Sequence, residues 1–375
     1  MKNERAVLDR LMPGLDDKLA AQDRRTLEAP DGPGLELFKA ADGPGLLVPR
    51  DSAGLGATAV EAVAVQTAVG ARSGSLAVAS TMHHFSMASL IALGASSETG
   101  LEKILVEAIA SQRHLLASGF AEGRPGAGIL SPTMTARPVE GGVVVDGAKK
   151  PCSLARSMTM LTASVDVQSN GARESELAVV LVPAGTPGMR VEPFWQSPVL
   201  AGAESDAVIL EEVFVPESLV VRTKMAPGGA LDTTHRIGFL WFELLMTASY
   251  LGVAAGLVED AMAVTRAPDA PVVGAWAQVR TSANALASLA SRLDAGRYDD
   301  ELLGELLVCR FQLQDALPRL AHACLEALGG MAFISSGELA HRVASLSALA
   351  FHPPSRGRAV GPLRRLHDGG PLTFD

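Results

Sequence analysis

The run from Ile237 to Val258, IGFLWFELLMTASYLGVAAGLV, holds one charged side chain, Glu243. An apolar stretch of this length either crosses a bilayer or lies buried on most faces inside a folded core. A lone carboxylate in hydrocarbon is costly, and no other segment reads as comparable. The chain is therefore expected to be soluble, with this segment as the central helix of a helical unit. Glu243 then needs a partner there, such as Arg236 or another arginine.

The hydrophobic period divides the rest. Up to about residue 115 the chain reads helical: AVLDRLMPGLDDKLAAQ is amphipathic, and Glu61 to Val69, Ser75 to Leu93 and Glu98 to Leu115 carry apolar residues at helical spacing. From Leu116 the period drops toward two, and short apolar runs such as GGVVVDG alternate with Gly, Pro and Asn-Gly punctuation. No helix-length segment intervenes there to make parallel crossovers, so an antiparallel sheet is expected. After Met225 long Ala- and Leu-rich helices return, with Pro318 marking a kink or a new start. The expected class is α+β: a helical unit at 1–115, an antiparallel β unit at 116–224 and a helical bundle at 225–375.

With 375 residues the chain is too long for one ordinary core. Its net charge of −9 argues against a nucleic-acid binder. Three cysteines, Cys152, Cys309 and Cys324, form neither a disulfide framework nor a zinc site and point to a reducing, cytoplasmic setting. The start, MKNERAVLDRL, shows no secretory signal. These properties do not name a function.

Six segments in order do suggest one. They are LLVPRDSAGLG (46–56), GFAEGRPGAG (119–128), VDGAKKPCSLA (145–155), VVLVPAGTPGMRV (179–191), GAESDAVILEEVFVP (202–216) and LGGMAF (328–333). Together they resemble the acyl-CoA dehydrogenase family over nearly the whole chain. The resemblance implies two helical domains flanking a β domain, the second a four-helix bundle. FAD would be wedged between the β domain and that bundle, in a homodimer or homotetramer. The implied substrate is an acyl thioester on CoA or an acyl carrier protein. The family reaction needs a polarised carbonyl, a base over the alpha carbon and the flavin on the opposite face.

Carried across by position, Phe120 and Ala121 offer backbone groups to the flavin ring, and Ser153 stands where a family threonine hydroxyl touches it. Glu122 keeps the acidic residue of that motif, and Glu204, Ser205 and Asp206 lie in a turn that shapes the β domain. Gly329 and Gly330 fall at the turn near the cofactor diphosphate. His83 and His84, in TMHHF, and Phe242 fall where helices approach the substrate.

Two features depart from the family. The usual glutamate base falls on FHPPS, where Pro353 takes its place, and proline has no acid–base group. Candidate bases are then Glu243, next to Phe242 at an alternative family position, and His352, whose imidazole type titrates near neutrality. The diphosphate-binding stretch is also altered: Arg266 is kept, but APDAPVVGAW follows it, and Gln278 is a doubtful substitute for the later glutamine. Three readings follow: a thioester dehydrogenase of specialised biosynthesis with a relocated base, a flavin-dependent monooxygenase that needs no such base, and a non-redox descendant of the fold.

Overall fold

The computed structural model describes every residue except 97–99, 124–131, 169–174, 224–230, 265–269, 336 and 375. The described chain starts with α1 (Lys2–Leu11), α2 (Leu15–Ala20), α3 (Arg24–Glu28), α4 (Gly34–Ala40), α5 (Ala59–Arg72), α6 (Gly74–Ser96) and α7 (Leu101–Ser111). A sheet follows: β1 (Leu116–Gly119), β2 (Thr135–Val139), β3 (Gly142–Cys152), β4 (Met160–Gln168), β5 (Ser175–Pro183), β6 (Met189–Glu192), β7 (Asp206–Pro216) and β8 (Val220–Arg222). The chain closes with α8 (Thr233–Met262), α9 (Ala270–Asp294), α10 (Asp300–Ser335), α11 (Gly337–Leu346) and α12 (Arg356–His367).

The apolar run becomes α8, which packs against α5, α6, α9 and α10. Leu240, Leu244, Leu245, Leu251 and Leu257 are wholly buried, and each contributes about 1.5–3 kcal/mol by leaving water. A Cβ at Gly252 would lie 2.3 Å from the Thr67 carbonyl oxygen of α5, so only glycine lets the two backbones cross so closely. α8 is not alone in its character, contrary to the sequence expectation. Gly74–Ala95 is also long and apolar enough to cross a membrane, and both helices are mostly buried in the fold. Some buried polar side chains of α5, α6 and α8 meet one another: the Gln66 amide nitrogen of α5 reaches the Ser80, Thr81 and Ser249 hydroxyls at 2.9–3.1 Å.

Helix ends follow local chemistry. Thr58 and Glu61 form a capping box at the start of α5. The carboxylate of Asp294, from the end of α9, accepts from the Ala59 and Val60 amides at the same terminus, where the helix dipole favours an anion. α7 stops at Ser111, short of Leu115, and Arg113 turns the chain with φ 57°. α10 runs through Pro318 and is broken instead at Gly329, whose φ of 81° suits glycine.

The sheet order is β6-β7-β3-β2-β4-β5-β8, with β1 also on β4. The sheet is mixed, which corrects the antiparallel expectation: β1 and β2 both pair parallel to β4. The return path is supplied by β3, a strand rather than a helix, so the absence of intervening helices did not exclude parallel pairs. β3 is irregular between Lys149 and Cys152. Bulges of this kind re-aim side chains, and this one lies where the sheet meets the helices.

Candidate active site

A cavity of about 230 Å³ opens where α6, the ends of β1 and β3, α8 and the turn before α12 converge. One face of α6 supplies Val78, Met82, Phe85 and Ser89, and one face of α8 supplies His235, Gly238, Phe239 and Phe242. These spacings of three, four and seven residues keep side chains on one side of a helix. A Cβ at Gly238 would stand 2.5 Å from the Ser89 hydroxyl, so the glycine lets α6 and α8 close at this point. Ser118, Phe120, Ala121, Pro151, Ser153, Trp195 and Ser205 come from the β unit, and Phe351, His352 and Pro353 from the last turn. The aromatic rings form a continuous wall. Phe85 lies 5.9 Å from Phe120 and 5.4 Å from Phe242, and Phe242 lies 6.3 Å from His352.

The β side of the cavity is pinned from behind. Glu122 accepts from the Thr133 amide and hydroxyl, the Met134 amide and the Lys149 ammonium, the last at 2.7 Å. These partners outweigh desolvation and hold its carboxyl down at about 2. Lys149 also donates to Ser164 and is fully buried. Ser153 and Ser205, both buried, sit hydroxyl to hydroxyl at 2.9 Å. Two hydroxyls sharing one hydrogen bond leave one O–H to donate elsewhere. A flavin ring fits such a site. It needs flat apolar walls, which Phe120, Pro151 and Trp195 supply, and a polar edge, which the serine pair supplies. Among the described residues lining the cavity, His235 and His352 carry acid–base groups.

His352 is held from two sides. Its Nε2 lies 2.8 Å from the Tyr250 hydroxyl of α8. Its backbone is fixed by Arg310 of α10, which donates to the Leu349, His352 and Pro353 carbonyls. Arg310 is fully buried and pairs with Glu243, whose two oxygens lie 2.9 and 3.0 Å from Nη1. Burial pushes the Glu243 carboxyl up and the Arg310 charge pulls it down; the carboxylate is the form that balances the guanidinium. Burial, with the Arg310 charge, pushes the His352 imidazole down to about 3, so it is neutral at ordinary pH. Burial pushes the Tyr250 phenol up.

The structure thus divides the expected site residues. Phe120, Ala121, Ser153, Phe242 and His352 meet at the cavity. Glu243 does not line it, which corrects its candidacy as base: its carboxylate points away, into the pair with Arg310. Arg236 is not its partner but forms an ion pair with Asp300 at 2.9 Å. His83 and His84 are also removed from the substrate side, because their rings point into the core and both are fully buried. His83 bridges the Pro44 carbonyl and the Leu116 amide. His84 packs on Phe38 and His83. Gly329 and Gly330 lie outside the cavity, near the exposed end of α10. Gln278 bonds Ser282 within α9. Arg266 and part of the 119–128 motif lie outside the described residues. Sequence reasoning missed Arg310 and Tyr250. Arg310 carried a signal: it is a single charge in the apolar run LLVCRFQL, facing Glu243, the single charge of the run 237–258 in α8.

No family model matches the chain. Over 372 residues it is 42% identical to an isobutylamine N-hydroxylase of Streptomyces viridifaciens, covering 99% of this chain and 98% of the relative. The solved structure of FMN-bound TdsC from Paenibacillus sp. A11-2 superposes with a TM-score of 0.83 at 16% identity, over 100% of this chain and 99% of that one. The FAD complex of PigA superposes with a TM-score of 0.80 at 16% identity, over 98% and 96%.

Proposed function

The chain belongs to the acyl-CoA dehydrogenase-like flavoproteins, and from that membership we propose that it is a flavin-dependent monooxygenase that N-hydroxylates small alkylamines. The observation that carries this reading is the chemistry of the cavity wall: among the described residues no carboxylate lines it, and Pro353 faces it where the family base belongs. Thioester dehydrogenation requires a base over the alpha carbon, and among the described residues the wall offers two imidazoles, His235 and His352. An amine makes the opposite demand. Its nitrogen attacks only as the free base, and an apolar wall without a counter-ion disfavours the ammonium form. The similarity to the isobutylamine N-hydroxylase supports the same substrate class.

Phe85, Phe239 and Phe242 would hold the alkyl group, each buried methylene contributing about 0.8 kcal/mol. Phe120, Ala121 and Ser153 would hold the flavin ring. FAD is the form the family resemblance favours, although the solved neighbours include both FMN and FAD complexes. When bound and reduced, the flavin supplies two electrons and the activation of dioxygen. The overall reaction balances with two protons: one oxygen atom enters an N–H bond of the amine and the other leaves as water. The exposed apolar side chains Met331, Phe333 and Ile334, beside Gly329 and Gly330, support assembly into a homodimer or homotetramer.

The test supplies the purified chain with FAD or FMN, a separate NADH-dependent flavin reductase, air and isobutylamine. The expected product is the N-hydroxylamine, with oxygen consumed in step. His352→Ala is expected to lower kcat by about 10²–10³-fold, the effect of losing one positioned donor. Anaerobic bleaching of bound flavin by an acyl thioester, without reductase, would replace this reading by dehydrogenation. Failure to bind either flavin would leave the non-redox reading.

A further inference from the structure

The hydrogen bond between Tyr250 and His352 has a direction that its surroundings decide. Tyr250 is 1% exposed, and among the described residues its hydroxyl has His352 as its hydrogen-bond partner. If Nε2–H donated to the phenol oxygen, the phenolic O–H would be buried without an acceptor, which costs about 1–3 kcal/mol. If the phenol donates, nothing is left unpaired on that side. Nε2 then carries the lone pair, and the proton of the neutral ring sits on Nδ1. No described residue hydrogen-bonds Nδ1, and the His352 side chain lines the cavity.

We propose that Tyr250 is a positioning residue that locks His352 in the Nδ1–H tautomer, so that His352 offers the cavity a fixed hydrogen-bond donor and cannot act as the base. The Arg310 guanidinium, paired with Glu243 behind the same turn, opposes a second proton on the ring. The groups facing His352 from the packed helices are thus a phenol on α8 and a cation on α10, and neither can take a proton from it at ordinary pH. In turnover the donor can bond an oxygen atom of the reacting group, while the amine nitrogen has to arrive already deprotonated. This role in turnover rests on the hydroxylase reading; the tautomer does not.

Two measurements separate them. In the flavin-free protein labelled with ¹⁵N-histidine, with His352 assigned through His352→Gln, the ring is expected to show a protonated Nδ1 and a bare Nε2. It should not titrate above pH 5. Tyr250→Phe removes the donor to the neutral form, so the titration should move upward and the tautomers should mix. A protonated Nε2 in the native protein, or a spectrum unchanged by Tyr250→Phe, overturns the lock whatever the protein's activity. In the hydroxylation assay, the pH at which kcat/KM rises should follow the pKa of the amine across a series of alkylamines, and Tyr250→Phe should lower kcat roughly tenfold, the factor one neutral hydrogen bond carries. A pH profile fixed near neutrality for every amine would make His352 the base and overturn the donor role.

Discussion

Lowering the pH from 6.5 to 4 is expected to remove about 3 kcal/mol of folding stability through His83 alone, with His84 adding in the same direction. Burial holds His83 down to about 4, only partly offset by the Pro44 carbonyl, and pushes His84 well below its ordinary 6.5. The partners of His83 show why. The Pro44 carbonyl can only accept, so Nε2 carries the proton; the Leu116 amide can only donate, so Nδ1 must stay bare. A second proton on Nδ1 would face an N–H. Between the folded and unfolded pKa values the unfolded chain binds the extra proton and the folded chain does not. Stability therefore falls as pH falls through that window and is level above it. Urea unfolding midpoints at intervals from pH 7.5 to 4.5 check this, and His83→Gln, which offers a donor and an acceptor without titrating, should flatten part of the slope. A midpoint that stays constant from pH 6.5 to 5 would refute the argument.

Replacing Arg310 with methionine is expected to destabilise the protein by about 3–5 kcal/mol, because the Glu243 carboxylate is left buried and unpaired. Glu243→Leu alone should cost a similar amount, for the mirrored reason. The double variant Glu243→Leu, Arg310→Met removes both charges and should recover most of the stability, since buried ion pairs barely exceed apolar replacements. It should not recover turnover. The three carbonyls of the 349–353 turn that Arg310 holds would have lost their donor, and His352 its fixed backbone. Thermal or urea unfolding reads the first effect and the hydroxylation assay the second. Recovery of both would mean that the pair is structural filler with no part in placing the turn.

The architecture was readable because its signals are long. The period change at Leu116 and the return of helices after residue 225 need no tertiary information, and the apolar run that became α8 is too long and too apolar to be anything but a helix buried on most faces or in a bilayer. The parallel pairing of β1 and β2 with β4 was hidden, because strand order is decided by which edges meet and not by periodicity. Glu243 shows a different limit. Burial and a shifted carboxyl were foreseeable, but whether it faced a substrate or a cation depended on Arg310, 67 residues away along the chain. The histidine pair in TMHHF misled for a related reason. Adjacent residues on a helix point about 100° apart, and both directions here lead into the core.

The pairing of two membrane-length apolar helices also sets a problem of timing. α6 is complete at Ser96, but α8, whose Ser249 hydroxyl meets Thr81 of α6 at 3.1 Å, ends at Met262. At synthesis rates of roughly 5–20 residues per second, α6 waits on the order of ten to thirty seconds for the surface that covers it. During that interval the nascent chain displays what a membrane-targeting factor recognises. Reaching the packed fold therefore depends on α5 and the β unit sheltering α6 early, or on a chaperone doing so until α8 leaves the ribosome.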